Sequence, residues 1–69
     1  MRQVSGREFA RLAEQRGWRL LRINGSHHIY GKPGNRARLT IPVHGSTPLK
    51  PGICRSLAKL AEIEDLLNE

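Results

Sequence analysis

The chain has 69 residues and a formal net charge of +6, a length that allows one domain with a thin core. Its single cysteine excludes an internal disulfide, and its apolar runs are too short for a membrane span. Because the N-terminal segment "MRQVSGRE" has no apolar core of the signal-peptide kind, the sequence predicts a cytoplasmic protein with no membrane contact.

The charges are segregated along the chain. Residues 1–59 hold all twelve lysines and arginines and only two acids, Glu8 and Glu14, whereas residues 60–69 hold four acids and no cation. A field of this kind attracts polyanions. Nucleic acid is therefore the favoured partner, and the alternatives are an acidic protein or a charge that serves solubility alone.

The first predicted element is a helix within "VSGREFARLAEQRGW", with both ends marked. Ser5 and Glu8 fit a capping box, and Val4 and Phe9 stand at the two positions of a hydrophobic staple. Gly17 is placed to end the helix in a left-handed conformation.

Three strand candidates follow the helix. They are "WRLLRI", "HHIYGK" and "RARLTIPV", and the turn sequences "NGS" and "PGN" separate them. The third strand alternates cleanly, which predicts one buried face and one open face. The buried set is Ala37, Leu39 and Ile41, and the open set is Arg36, Arg38 and Thr40.

The C-terminal part predicts a second helix over about residues 52–61 and a short helical tail in "EIEDLLNE". The order is α-β-β-β-α, so we expect an α+β fold with two helices on one face of a three-stranded antiparallel sheet. A single domain is expected over residues 1–69, with its core in 3–61 and an acidic tail in 62–69. The other face of the sheet would present Arg36 and Arg38 to phosphates.

The segment "GSHHIY" places two histidines side by side at the start of the second strand. Because neighbouring strand residues point to opposite faces, His27 shares a face with Ile29 and His28 shares one with Tyr30. Simple alternation turns Ile29 inward, and His27 with it. However, His27 directly follows a turn, where the pleat is often irregular, so alternation does not choose between the two histidines.

Three uses of these histidines compete. They are ordinary half-exposed strand residues, metal ligands, or catalysts. A zinc site needs three or four ligands, and opposed faces leave one of the pair with His44 and a distant Cys54, so we expect no metal and no other cofactor. Catalysis needs only one imidazole, because histidine exchanges protons near neutrality and can take the proton of an RNA 2′-hydroxyl.

The combination of "GWRLLRI", "GSHHIY", "TIPVH" and a Pro-Gly opening into a helix resembles the HicA family of toxins over about residues 3–61. The resemblance implies a double-stranded-RNA-binding-like fold and a metal-independent mRNA interferase, the toxin of a type II toxin–antitoxin system. It further implies mRNA as substrate and a HicB-like antitoxin as partner. The residue after Gly25 and Ser26, His27, would be the general base or acid, and His28 its companion.

The expected RNA-binding set joins this hairpin to cations of the third strand and the second helix. Tyr30 is expected either in the core or on the open face, where its ring could stack a base. The set comprises Gly25, Ser26, His28, Tyr30, Arg36, Arg38, His44, Lys50, Arg55 and Lys59.

Two other functions remain open from the sequence. One is a non-catalytic RNA-binding module of the same fold, in which His27 only contacts the RNA backbone. The other is an interaction protein whose cationic surface meets an acidic partner. RNA binding through phosphates would weaken steeply with salt, so a weak salt dependence would favour the interaction protein.

Overall fold

A computed structural model describes residues 2–68, so Met1 and Glu69, the two ends of the predicted domain, lie outside the described residues. The three strands form one antiparallel sheet in the order β1-β2-β3. The expected α-β-β-β-α order with a short helical tail is confirmed. The elements are α1 (Gly6–Gln15), β1 (Arg19–Asn24), β2 (His27–Lys32), β3 (Asn35–Pro42), α2 (Pro51–Ala61) and α3 (Glu64–Leu67).

Both predicted ends of α1 are confirmed. The Ser5 hydroxyl accepts the backbone N–H of Glu8 at 3.1 Å, and the Glu8 carboxylate accepts the backbone N–H of Ser5 at 3.2 Å. At the other end, Gly17 has a φ of 96° and the N–H of Trp18 donates to the Ala13 carbonyl at 3.2 Å. These bonds satisfy backbone groups that a helix leaves without partners.

The helices α1 and α2 cover one face of the sheet and pack on β3. Leu39 and Ile41 of β3 are fully buried in one core cluster with Phe9 of α1 and Leu57 of α2. The outward residues of β3 are exposed, as the alternation predicts. No helix of residues 2–68 packs on the other face of the sheet, which we call the open face.

The tail packs into the core although its sequence is acidic. Ile63 and Leu67 are fully buried, and the backbone N–H of Arg2 donates to the Leu67 carbonyl at 2.9 Å. Nη2 of Arg16 lies 2.6 Å from Oδ2 of Asp65, and the hydrogen bond that Arg16 donates keeps the pKa of the Asp65 carboxyl below its ordinary value. Among residues 2–68, no helix is long and apolar enough to cross a membrane.

Candidate active site and nucleic-acid interface

The predicted hairpin is present and fixes His27 as the first residue of β2. Asn24 pairs with His27, so the turn consists of Gly25 and Ser26 alone. Gly25 has a φ of 62°, which suits the first central position of a type II′ hairpin turn. The Ser26 carbonyl accepts the N–H of Val43 at 2.8 Å, which ties the turn to the segment that follows β3.

The strand register places the two histidines on opposite faces. His28 pairs with Ile41, which is fully buried under the helices, so His28 lies on the covered face and is half-buried. His27 pairs with Pro42, lies on the open face and is exposed. The inward orientation that simple alternation suggests for Ile29 and His27 is therefore wrong.

Tyr30 belongs to the core. It pairs with Leu39 and is only 4% exposed, so the alternative that placed its ring on the open face is wrong. Burial raises the pKa of the phenol, and the negative charge of Glu14 raises it further. A ring in this position cannot stack a base, and Tyr30 leaves the set of candidate RNA contacts.

An irregularity in β1 adds an arginine to the open face. Leu20 pairs with Tyr30 and Arg22 pairs with Ile29, so Leu21 is an extra residue on β1. Such a bulge shifts the residues after it to the opposite face. Arg22 is therefore diagonal to His27 across β1 and β2, at a separation of about 7–8 Å that a long side chain can span.

Sequence reasoning left Arg22 out of the candidate set. Strict alternation puts Arg22 on the face of Leu20, which is the covered face. Only the register of β1 against β2 shows that Arg22 lies on the open face. A one-residue bulge has no reliable signature in a stretch such as "RLLRIN".

The predicted cations of β3 lie at the far end of the open face. Arg36 and Arg38 are exposed. A Cβ placed on Gly31 would lie 3.3 Å from Arg38 Nη1, so this guanidinium covers the end of β2 away from His27. Gly31 lies four positions along β2 from His27, or about 13 Å. The segment 19–42 as a whole contains five cations and no carboxylate.

His44 and Lys50 adjoin the His27 end of the sheet. Both are exposed and line one groove with Pro42 and Ile53. Because Pro42 pairs with His27, this groove continues from the catalytic candidate toward the start of α2.

The structure does not bring the last two predicted cations to His27. Arg55 lines a separate groove with Arg2 and Leu49. Lys59 lines another with Asn35, at the opposite end of β3 from Pro42. They can only contact RNA that extends around the molecule.

Among residues 2–68, no group of three histidine, cysteine or acidic side chains is close enough to hold a metal ion. Cys54 is buried, and burial raises the pKa of its thiol. The groups that the open face offers at this end are an exposed imidazole, His27, and the guanidinium of Arg22.

Comparison with known proteins identifies one family. A family model described as "HicA toxin of bacterial toxin-antitoxin" matches residues 6–63, which run from the start of α1 to just past α2. Among curated proteins, none matches the sequence significantly. The match spans most of the chain, so this protein belongs to the HicA toxin family and is the toxin of a toxin–antitoxin pair.

Proposed function

We propose that this toxin is a metal-independent endoribonuclease that cleaves mRNA, with His27 as its general base. The observation that supports the proposal is the position of His27 on an open sheet face with Arg22 beside it. Within residues 2–68 its imidazole has no hydrogen-bond partner, which leaves both ring nitrogens accessible to a substrate.

The proposed reaction is an internal transfer at one phosphate. His27 takes the proton of a ribose 2′-hydroxyl, and the 2′-oxygen attacks the adjacent phosphorus. The bond from phosphorus to the 5′-oxygen breaks, and that oxygen takes a proton from water. The imidazolium of His27 then gives its proton to the hydroxide that remains, which restores the base. The products are one strand with a 2′,3′-cyclic phosphate and one with a 5′-hydroxyl, and the ribose supplies the nucleophile.

Arg22 would hold the phosphate that is attacked. It is the cation nearest to His27 on the open face by register, and a guanidinium can donate two parallel hydrogen bonds to phosphate oxygens. Arg36 and Arg38 lie farther along the same face and would bind the next phosphates of the strand. Each phosphate contact would lower the logarithm of the RNA affinity by about 0.7 for every tenfold rise in salt concentration, the value for single strands.

His28 has a different environment and serves as the matched control. It lies on the covered face, in a groove with Arg11 and Glu14 of α1. An RNA strand on the open face does not reach it, so we expect His28 to support the hairpin and to take no part in proton transfer.

The test compares His27→Ala with His28→Ala on a labelled single-stranded RNA in the presence of a metal chelator. General base catalysis contributes about 10²–10⁴-fold to a rate. We expect His27→Ala to lose cleavage by this factor and to keep RNA affinity, while His28→Ala cleaves like the wild type. The same sequence as DNA should stay intact because it lacks the 2′-hydroxyl.

A non-catalytic RNA-binding module of the same fold would give different results in these cleavage and binding measurements. In that case the wild-type protein binds the RNA without cleaving it, and His27→Ala weakens binding. Loss of cleavage in His28→Ala, with His27→Ala still active, would instead show that the wrong histidine has been chosen.

A further inference from the structure

The edge strand β1 exposes an unusual amount of apolar surface. Residues 2–68 expose five large apolar side chains, and three of them, Leu20, Leu21 and Ile23, lie on β1 with exposures of 44%, 54% and 55%. The opposite edge strand buries its apolar residues, since Leu39 and Ile41 are fully covered. The two edges of this sheet are therefore not equivalent.

The exposure of β1 follows from how the helices are placed. Both α1 and α2 pack on β3, and all six residues of β1 are left exposed. An edge strand also carries a row of backbone N–H and C=O groups without strand partners. Such an edge can accept an extended segment of another protein as an additional strand.

The two faces of β1 have different chemistry. Leu20 and Ile23 pair with residues of the covered face, Tyr30 and His28. Arg19 and Arg22 pair with Gly31 and Ile29, which face the open side. Leu21 also lies on the open side, because a Cβ on Gly31 would be 2.8 Å from its Cδ1. A strand added beside β1 would therefore meet apolar side chains on one of its faces and, on the other, two cations with Leu21 between them.

We propose that β1 accepts an extended strand of the antitoxin in which apolar residues alternate with carboxylates. The apolar residues would pack beside Leu20 and Ile23, and the carboxylates would pair with Arg19 and Arg22. The proposal uses the toxin–antitoxin pairing of the family and does not depend on RNA cleavage.

The charges argue against a second copy of this chain as the occupant. Each copy carries a net charge of +6, and pairing β1 with β1 would bring Arg19 and Arg22 of both copies together. Like charges on neighbouring strands destabilise the pair. RNA is also disfavoured at this edge, because phosphates gain nothing from exposed leucine and isoleucine side chains.

The first test is hydrogen exchange of this toxin with and without its purified antitoxin. If the antitoxin adds a strand, amides of Arg19–Asn24 that face the free edge become protected in the complex. Protection confined to α2, or to β3 and the groove of His44, would overturn the proposal. So would the absence of any complex.

The second test uses a matched pair of substitutions, Leu20→Lys on β1 and Leu60→Lys on α2. The two leucines have nearly equal exposure, 44% and 45%, so each change adds the same charge at an equally open position. We expect Leu20→Lys to weaken antitoxin binding by about tenfold or more, because it places an ammonium group in the apolar contact. Leu60→Lys should bind like the wild type, and equal effects of the two variants would refute the docking strand.

An RNA cleavage assay distinguishes antitoxin docking on β1 from the proposed endoribonuclease activity. Leu20→Lys should cleave RNA at the wild-type rate and escape the antitoxin. If the wild-type protein cleaves no RNA but β1 is protected by the antitoxin, only the proposed enzymatic activity fails.

Discussion

Replacement of Gly6 by alanine tests how tightly α1 is pressed against the end of β3. A Cβ on Gly6 would lie 1.9 Å from the carbonyl oxygen of Pro42 and 2.9 Å from its carbonyl carbon. Both are backbone atoms, so no side-chain rotation relieves the overlap. The contact also matters for the candidate site, because Pro42 pairs with His27.

The size of the effect follows from two opposing contributions. A glycine-to-alanine change at a compatible position stabilises a protein by about 0.4–1 kcal/mol. Forcing an extra carbon into a packed region costs about 1–3 kcal/mol and sometimes more. We therefore expect Gly6→Ala to lower the free energy of unfolding by about 1–2 kcal/mol. For a domain of this size, that lowers Tm by roughly 5–15 °C.

Gly52 provides the control within the same fold. It lies in the first turn of α2, as Gly6 does in α1, and a Cβ there has no heavy atom within 4 Å. Gly52→Ala is expected to raise the free energy of unfolding by about 0.4–1 kcal/mol. The two identical substitutions should thus change stability in opposite directions.

Urea denaturation followed by tryptophan fluorescence measures both changes. Trp18 is the only tryptophan and is fully buried, so its emission reports loss of the core. A midpoint for Gly6→Ala at or above that of the wild type would refute the close approach of α1 and β3. A midpoint for Gly52→Ala as low as that of Gly6→Ala would show that the loss arises from helix-start glycines in general.

Two further changes test the core. Because the folded pKa of Tyr30 is raised, its contribution to stability is present below the unfolded value of about 10 and is lost as pH rises through the folded pKa. Tyrosinate absorbance, which only Tyr30 produces, should appear at higher pH in the folded chain than in urea, and equal midpoints would contradict this. Leu67→Ala should lower the free energy of unfolding, measured by urea denaturation, by about 2–5 kcal/mol. Asp65→Asn, on the exposed side of α3, should leave the urea midpoint nearly unchanged. Equal midpoints for the two variants would show that the tail does not stabilise the core.

The parts of the fold that the sequence predicts are those governed by neighbours along the chain. The capping box of Ser5 and Glu8 depends on residues three positions apart, and the structure contains both of its hydrogen bonds. The alternation of β3 is equally local, because Ala37, Leu39 and Ile41 are two positions apart with polar residues between them. Leu39 and Ile41 are accordingly buried, with Thr40 exposed between them.

The orientation of β2 depends on information that its own residues do not carry. Ile29 and Tyr30 are adjacent and both are apolar, so their order does not show which one faces the helices. The choice is made across the sheet, where Tyr30 pairs with Leu39 and Ile29 pairs with Thr40. Alternation within β2 consequently leaves the two histidines undecided, whereas the clearer pattern of β3 determines their faces through the register.

The bulge at Leu21 links the proposed RNA surface to the proposed docking strand. If β1 alternated regularly through Leu21, with no bulge, Arg22 would face the covered side and Ile23 would face the open side. The cation beside His27 would then be lost, and an apolar residue would take its place on the face offered to RNA. With the bulge, Arg22 lies on the open face and Ile23 lies beside Leu20. A single irregularity in an edge strand thus brings Arg22 to the open face beside His27 and leaves Leu20 and Ile23 together on the covered side, so two different partners can use adjacent parts of so small a domain.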